Sequence, residues 1–295
     1  MNESANSLRG RESLQDGLVR VVDKLIESLP EQSEKSASDR GDEIHSFRTT
    51  IKRLRALLRL IRPATGEPFF RRENDRLRNA ARSLSMARDA DVARTTLSEM
   101  PVSEETEHSA IAAALSGLEQ QPAVEPDLNQ VVERVRRALG QTQRNLHRLD
   151  LTGTEREVIE AGLHEVYRQS RKRMHVAFEN GQDEAFHRWR IRVKNLYYEL
   201  QFLQPVWPQR LGKMVSRLAQ LQDKIGLDHD VAVLKALLRK TPDAFGGTEK
   251  VEVLLKRLDK KSRELRGAAK PLGRRVLEET PGRFVRKMGQ RWSKR

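Results

Sequence analysis

The stretch HSFRTTIKRLRALLRL, residues 45–60, decides how this chain is read. From Ile44 to Arg62 it carries six arginines or lysines and no acid. At about 100° per residue, His45, Arg48, Lys52, Arg55, Arg59 and Arg62 fall within an arc of roughly 100°. Phe47, Ile51, Leu54, Leu57, Leu58 and Ile61 occupy the neighbouring face. The segment therefore predicts a helix with one face for a core and one basic stripe. Like charges at i,i+3 and i,i+4 repel by a few tenths of a kcal/mol per pair, so such a stripe asks for a neutralising partner. A single charged stripe is usually a solvated face.

Duplication reverses that reading. His45-x-x-Arg48-x-x-x-Lys52-x-Leu54 recurs 142 residues later as His187-x-x-Arg190-x-x-x-Lys194-x-Leu196. Arg71-x-x-Asn74-x-x-x-Arg78 recurs 139 residues later as Arg210-x-x-Lys213-x-x-x-Arg217, and Asp91-Val92 recurs at the same offset as Asp230-Val231. Three anchors in one order imply a duplicated helical unit. In the second copy His187, Arg190, Lys194, Tyr197 and Gln201 form the stripe, while Trp189, Val193, Leu196, Leu200 and Leu203 face the core. Solvated faces tolerate any mixture of Lys, Glu and Gln, so two copies have no physical need to keep His, Arg and Lys in register. The simplest architecture is a pair of helical bundles related by a pseudo-two-fold axis.

Around these anchors the chain reads as all-α. Prolines and glycines cut it into helix-length pieces, with no strand-period alternation. Helices are predicted near 11–29, 43–62, 69–85, 89–99, 104–120, 128–149, 154–179, 183–204, 208–225, 229–240 and 249–269. The segment 31–42 reads as a polar loop, 121–127 as a linker, and 271–295 as a basic helix or tail. Further basic faces are Arg71, Arg78 and Arg82; Arg210, Lys213 and Arg217; and His164, Arg168, Arg171 and His175. Asp91 and Asp230 precede apolar runs and read as N-caps or first-turn acids, with His229 part of the second cap. His45 and His187 stand near predicted helix starts, where the dipole holds imidazole neutral unless an anion offsets it.

Composition narrows the partners. The 295 residues carry a net charge of +14, which attracts polyanions: nucleic acid, anionic membrane, acidic protein or a phosphate polymer. No cysteine is present, which removes disulfides, thiol catalysis and cysteine zinc sites. No segment has the apolar length to span a bilayer and the polar N-terminus lacks a signal peptide, so the expectation is a cytoplasmic protein. No HExxH or acidic metal cluster, and no Walker-type loop, occurs; a non-catalytic protein without metal or cofactor is expected. RNA-recognition, KH, zinc-finger and basic-zipper signatures are absent and stacking aromatics are few, so only weak, salt-sensitive nucleic-acid binding is expected.

The two histidine motifs, HSFRTTIKRLRALLRL and HRWRIRVKNLYYELQFL (187–203), resemble the signature of the CHAD family, the conserved histidine α-helical domain. ARDADV (87–92), GLDHDV (226–231) and YRQSRKR (167–173) are similar to further segments of it. The resemblance spans about residues 10–270, with halves near 10–122 and 128–270. It implies two four-helix bundles facing a basic central cavity, and binding of inorganic polyphosphate. By matching position it places His45, Arg48, Lys52, Arg53 and Arg55 in that cavity, with His187, Arg190 and Lys194 from the second half and Arg171 from the tyrosine-containing helix. Periodicity adds Arg59, Arg78, Arg82, Lys213 and Arg217. The second copy departs from the family at Asn195 and Tyr197, where basic residues are usual, so this half holds phosphate less strongly or through the Tyr197 hydroxyl. The triphosphate-hydrolysing tunnel domain sometimes fused to the family needs E-x-E-x-K/R; the nearest match, Glu155 to Ile159, lacks the final basic residue and lies in a helical context.

Overall fold

A computed structural model describes residues 6–30, 37–84, 89–99, 105–120 and 128–294. Its helices are α1 (Leu14–Glu27), α2 (Ala37–Leu60), α3 (Arg62–Ser83), α4 (Asp89–Ser98), α5 (Glu105–Gln120), α6 (Leu128–His147), α7 (Glu155–Asn180), α8 (Asp183–Leu203), α9 (Pro208–Lys240), α10 (Thr248–Val276) and α11 (Pro281–Trp292). The described residues contain no strand, so the fold is all-α. The linker reading of 121–127 lies outside the described residues, as does 31–36 of the predicted loop.

Local chemistry sets several boundaries. Ser13 caps α1 by accepting from the Asp16 amide, and α1 buries Leu14, Leu18, Val21, Val22 and Leu25 along one stripe. Thr154 and Glu157 form a reciprocal capping box that starts α7. Gly181, at φ 71°, ends α7 in the left-handed conformation and lets α8 begin two residues later, so these helices form a tight hairpin. Gly162 of α7 is a close-approach position, because a Cβ there would lie 2.2 Å from the Leu60 carbonyl oxygen. That bare spot seats α7 against the end of α2.

Two apolar cores result. The larger draws on α1, α2, α3, α6, α7, α8, the first part of α9, the end of α10 and α11. The smaller is made by α4 and α5 against the second part of α9 and the start of α10. Neither core respects the half-chain boundary drawn from the duplication. Helices placed at matching positions in the two copies pack on each other: α2 on α8, α4 on the second part of α9, and α5 on α10. That order is compatible with two bundles related by a pseudo-two-fold axis.

Four boundary readings need correction. Helix α2 starts at Ala37, inside the predicted loop, so His45 lies two turns into the helix instead of at its start. Helix α9 runs unbroken through 226–228, where two helices were expected. Asp228 lies there in the helix interior, 2% exposed, and is paired with Arg266 of α10. Asp230 and His229 are consequently mid-helix and cap nothing. Helix α10 continues past Pro271 to Val276. The hydrogen bond lost at the proline is offset by the burial of Val276 and Leu277 and by Tyr167 Oη donating to the Val276 carbonyl at 3.1 Å.

The C-terminal segment is a helix of the main core. Phe284, Val285 and Met288 of α11 are buried, and Phe284 stacks on Tyr167 of α7 with ring centroids 4.6 Å apart. We expect Phe284→Ala to cost about 3–5 kcal/mol in urea unfolding. A loss below about 1 kcal/mol would place α11 outside the cooperative unit.

Candidate anion-binding site

A charged latch sets the site. Asp183 opens α8, Asp228 lies in α9 and Arg266 in α10. The Arg266 Nε donates to both Asp228 oxygens at 2.9 and 3.0 Å, and its Nη2 donates to Asp183. Lys235, only 5% exposed, adds ion pairs to Asp183 and Asp259 at 2.9 Å each. The Arg266 guanidinium also lies over the Phe186 ring at 4.1 Å. His187 follows Asp183 by one helical turn and His229 follows Asp228 directly, so the latch brings two imidazoles together.

The His187 and His229 Nδ1 atoms are 3.2 Å apart and the ring centroids 4.6 Å apart. At this separation one ring can donate to the other, and two imidazolium ions would repel. Burial, then Arg190, His187, Lys194 and Arg48, push His229 down to about 3. Burial and Arg190 also lower His187. The pair is therefore neutral in the free protein at physiological pH, through desolvation and like charge; the helix dipole is not needed to explain it.

Lys194 is the centre of the cluster. Burial first, then Arg190, Lys52 and Arg48, bring its ammonium down to about 7, with Asp230 opposing. Its neighbours come from α2, α8 and α9, so the two duplicated stripes do converge on it. In this part of the fold the structure brings together Arg48, Lys52, His187, Arg190 and Lys194. It adds His229 and Asp230.

The second half of the α2 stripe faces elsewhere. Arg55 Nε and Arg59 Nη2 both donate to Asn74 Oδ1 of α3, at 3.0 and 3.2 Å. Burial and then Arg78 lower Arg55, so Arg78 stands near it while pairing with Asp75 at 3.3 Å. Burial and then Arg55 bring Arg59 down to about 10. Arg82 is exposed one turn beyond Arg78 on α3. Arg53 turns away from the stripe and lies over the Tyr198 ring at 5.6 Å, beside Val21 and Leu25 of α1. Tyr197 packs edge-on against Tyr198, with centroids 5.2 Å apart. Lys213 is exposed and Arg217 half-buried in the first part of α9. His45 is exposed on α2.

Arg171 reaches the chain that follows α10. Its Nη1 donates to the carbonyls of Leu277 at 3.2 Å and Glu279 at 2.6 Å, closing the chain after α10. These bonds engage one terminal nitrogen of the guanidinium and pin the chain that leads into α11, which a position in a helical stripe could not reveal.

These features define a helical protein in which two duplicated basic helices meet at a half-buried cationic cluster. The sequence profile of the CHAD domain matches residues 20–239, and the chain belongs to the CHAD domain family. The crystal structure of the CHAD domain from the plant Ricinus communis has the same fold, with a TM-score of 0.63 at 17% identity over 94% of this chain and 96% of that chain. No curated protein matches the sequence.

Arg266→Met should cost about 3–5 kcal/mol, because Asp228 would be left buried without its partner. Chemical unfolding of the variant measures this, and a loss under about 1 kcal/mol would show that the latch is dispensable.

Proposed function

We propose that this protein binds inorganic polyphosphate at the cluster around Lys194 and does not process it. The observation that carries the reading is the convergence of Arg48, Lys52, Arg190 and Lys194 from the two copies, which adds to burial, the larger cause, in bringing Lys194 down to about 7. Half-buried cations that repel each other cost stability in the free protein, and an anion placed among them relieves both the repulsion and the desolvation. Polyphosphate supplies closely spaced charges without bases. It can be gripped by bidentate guanidinium contacts, by ammonium groups and by release of its counterions. The His187–His229 pair can take up a proton, the Nδ1–H of one ring donating to Nδ1 of the other, which leaves the Nε2 side of each ring to donate to phosphate oxygens. The reading extends to a cytoplasmic role in attachment to polyphosphate granules.

The direct test is a competition titration at about 150 mM salt, the physiological ionic strength. Labelled long-chain polyphosphate is challenged with duplex DNA and single-stranded RNA at matched charge. Displacement by unlabelled polyphosphate alone supports the reading, and equal displacement by nucleic acid defeats it. Arg48→Glu with Lys52→Glu should weaken binding by at least about tenfold, equivalent to about 1.4 kcal/mol. The control pair, Arg286→Glu with Lys294→Glu, lies on or beside α11 and should have a much smaller effect. Equal losses would point to a generic basic surface.

The lowered pKa values give a signed pH dependence. In the free protein His187 and His229 sit below the usual imidazole value, and Lys194 sits near 7. A bound polyanion raises all three, so binding takes up protons and affinity increases as pH falls from 8 toward 5.5. His187→Ala with His229→Ala should flatten the acidic part of that profile. An unchanged slope in the double variant would remove the pair from the site.

A further inference from the structure

A second basic compartment lies on the other side of α8. Arg192 is two residues before Lys194, about 200° around the helix, so it points away from the histidine-bearing stripe. It lines a half-open cavity of about 560 Å³ walled by α2, α3, α7 and α8. Arg59 of α2 lines the same cavity, and its guanidinium is oriented by donating to the Arg55 carbonyl at 2.6 Å and to Asn74 Oδ1 at 3.2 Å. Among the described residues neither Arg59 nor Arg192 has a carboxylate at ion-pair distance. The acid that acts on Arg59 is Glu199, which is fully buried and whose carboxyl is pushed up by desolvation. Arg59, Arg62 and Arg192 face the cavity against two carboxylates, Glu67 and Glu165, which leaves a net positive, partly desolvated lining that calls for an anion.

The remaining walls narrow the ligand. Pro63, Phe70 and Val166 make an apolar side, with the Arg62 guanidinium lying over Phe70 at 4.9 Å. Glu67 and Glu165 stand in the same lining, each already accepting from an arginine: Glu67 from Arg62 and Arg71, Glu165 from Arg168. Carboxylates in the lining repel a long polyanion passing through. They also accept hydrogen bonds from hydroxyl or amino groups. We propose that this cavity is a second anion site, distinct from the Lys194 cluster, that takes a small organic phosphate: one phosphoryl group between Arg59 and Arg192, and a compact body bearing hydrogen-bond donors toward Glu67 and Glu165. Nucleoside and sugar monophosphates are the class that fits.

Calorimetric titration of the full chain with AMP and with ribose 5-phosphate, at about 150 mM salt, tests this. At least one is expected to bind at a single site more tightly than orthophosphate. Arg192→Gln should weaken that binding by about tenfold or more while leaving polyphosphate affinity and melting temperature unchanged. Lys52→Gln with Lys194→Gln should weaken polyphosphate and leave the ester unaffected. Arg192→Lys, which keeps the charge and loses the planar fork, should recover part of the affinity. Failure of both esters to bind, equal binding of orthophosphate, an unchanged affinity in Arg192→Gln, or loss of the ester in the Lys52/Lys194 variant would each overturn the proposal. The ester titration stands whether or not polyphosphate binds.

Discussion

The Arg266 guanidinium between Asp183 and Asp228 is the constraint on which the site depends. It joins the first residue of α8, the middle of α9 and the second half of α10. A buried ion pair is weak evidence for net stability, because desolvation consumes most of the attraction. Its consequence here is register. With Asp183 and Asp228 tied to one guanidinium, α8 has little freedom to slide or rotate against α9, and the His187 and His229 rings meet as a result. Asp228 illustrates the cost: burial raises its carboxyl despite Arg266, whereas Asp183, more exposed and also bound to Lys235, is held below the usual range.

Helix α2 divides its stripe between two environments. Arg48 and Lys52 face α8 and the histidine pair, while Arg55 and Arg59 turn to Asn74 and the Arg192 cavity. Every one of the four lies partly out of water, and none could be placed there by helix propensity. The apolar face beside them holds the helix: Phe47, Ile51, Leu54 and Leu58 are almost fully buried, each worth about 1.5–3 kcal/mol of transfer free energy. That gain offsets the like-charge repulsion and keeps the cations preorganised, so an incoming anion does not have to collect them.

Asn74 shows how little local sequence says about a polar residue's task. It is one acceptor shared by two guanidiniums, and it fixes the direction of Arg59 at the cavity wall. Glu73 next to it does something unrelated: fully buried, it accepts from Arg72, Thr142 and Asn145 and ties α3 to α6. Both residues sit in one helical turn, and only the elements packed against each face separate their roles.

The sequence by itself determined the all-α class, the duplicated order of motifs and the Arg48, Lys52, Arg190 and Lys194 positions. Those signals are periodic, and a period of 3.6 places side chains on a face wherever the helix goes. It could not disclose His229, since an Asp-His-Asp run before apolar residues has the look of a cap. Helix α9 runs through it with Asp228 paired to Arg266 across 38 residues. Arg171 reads as part of a basic face, and only the packed end of α10 shows that its Nη1 also holds the chain there. The C-terminal basic stretch became a core helix because Tyr167 offers Phe284 a partner. In each case the deciding contact joins residues far apart in the chain, and desolvation, which sets both pKa and ion-pair strength, exists only after the helices have packed.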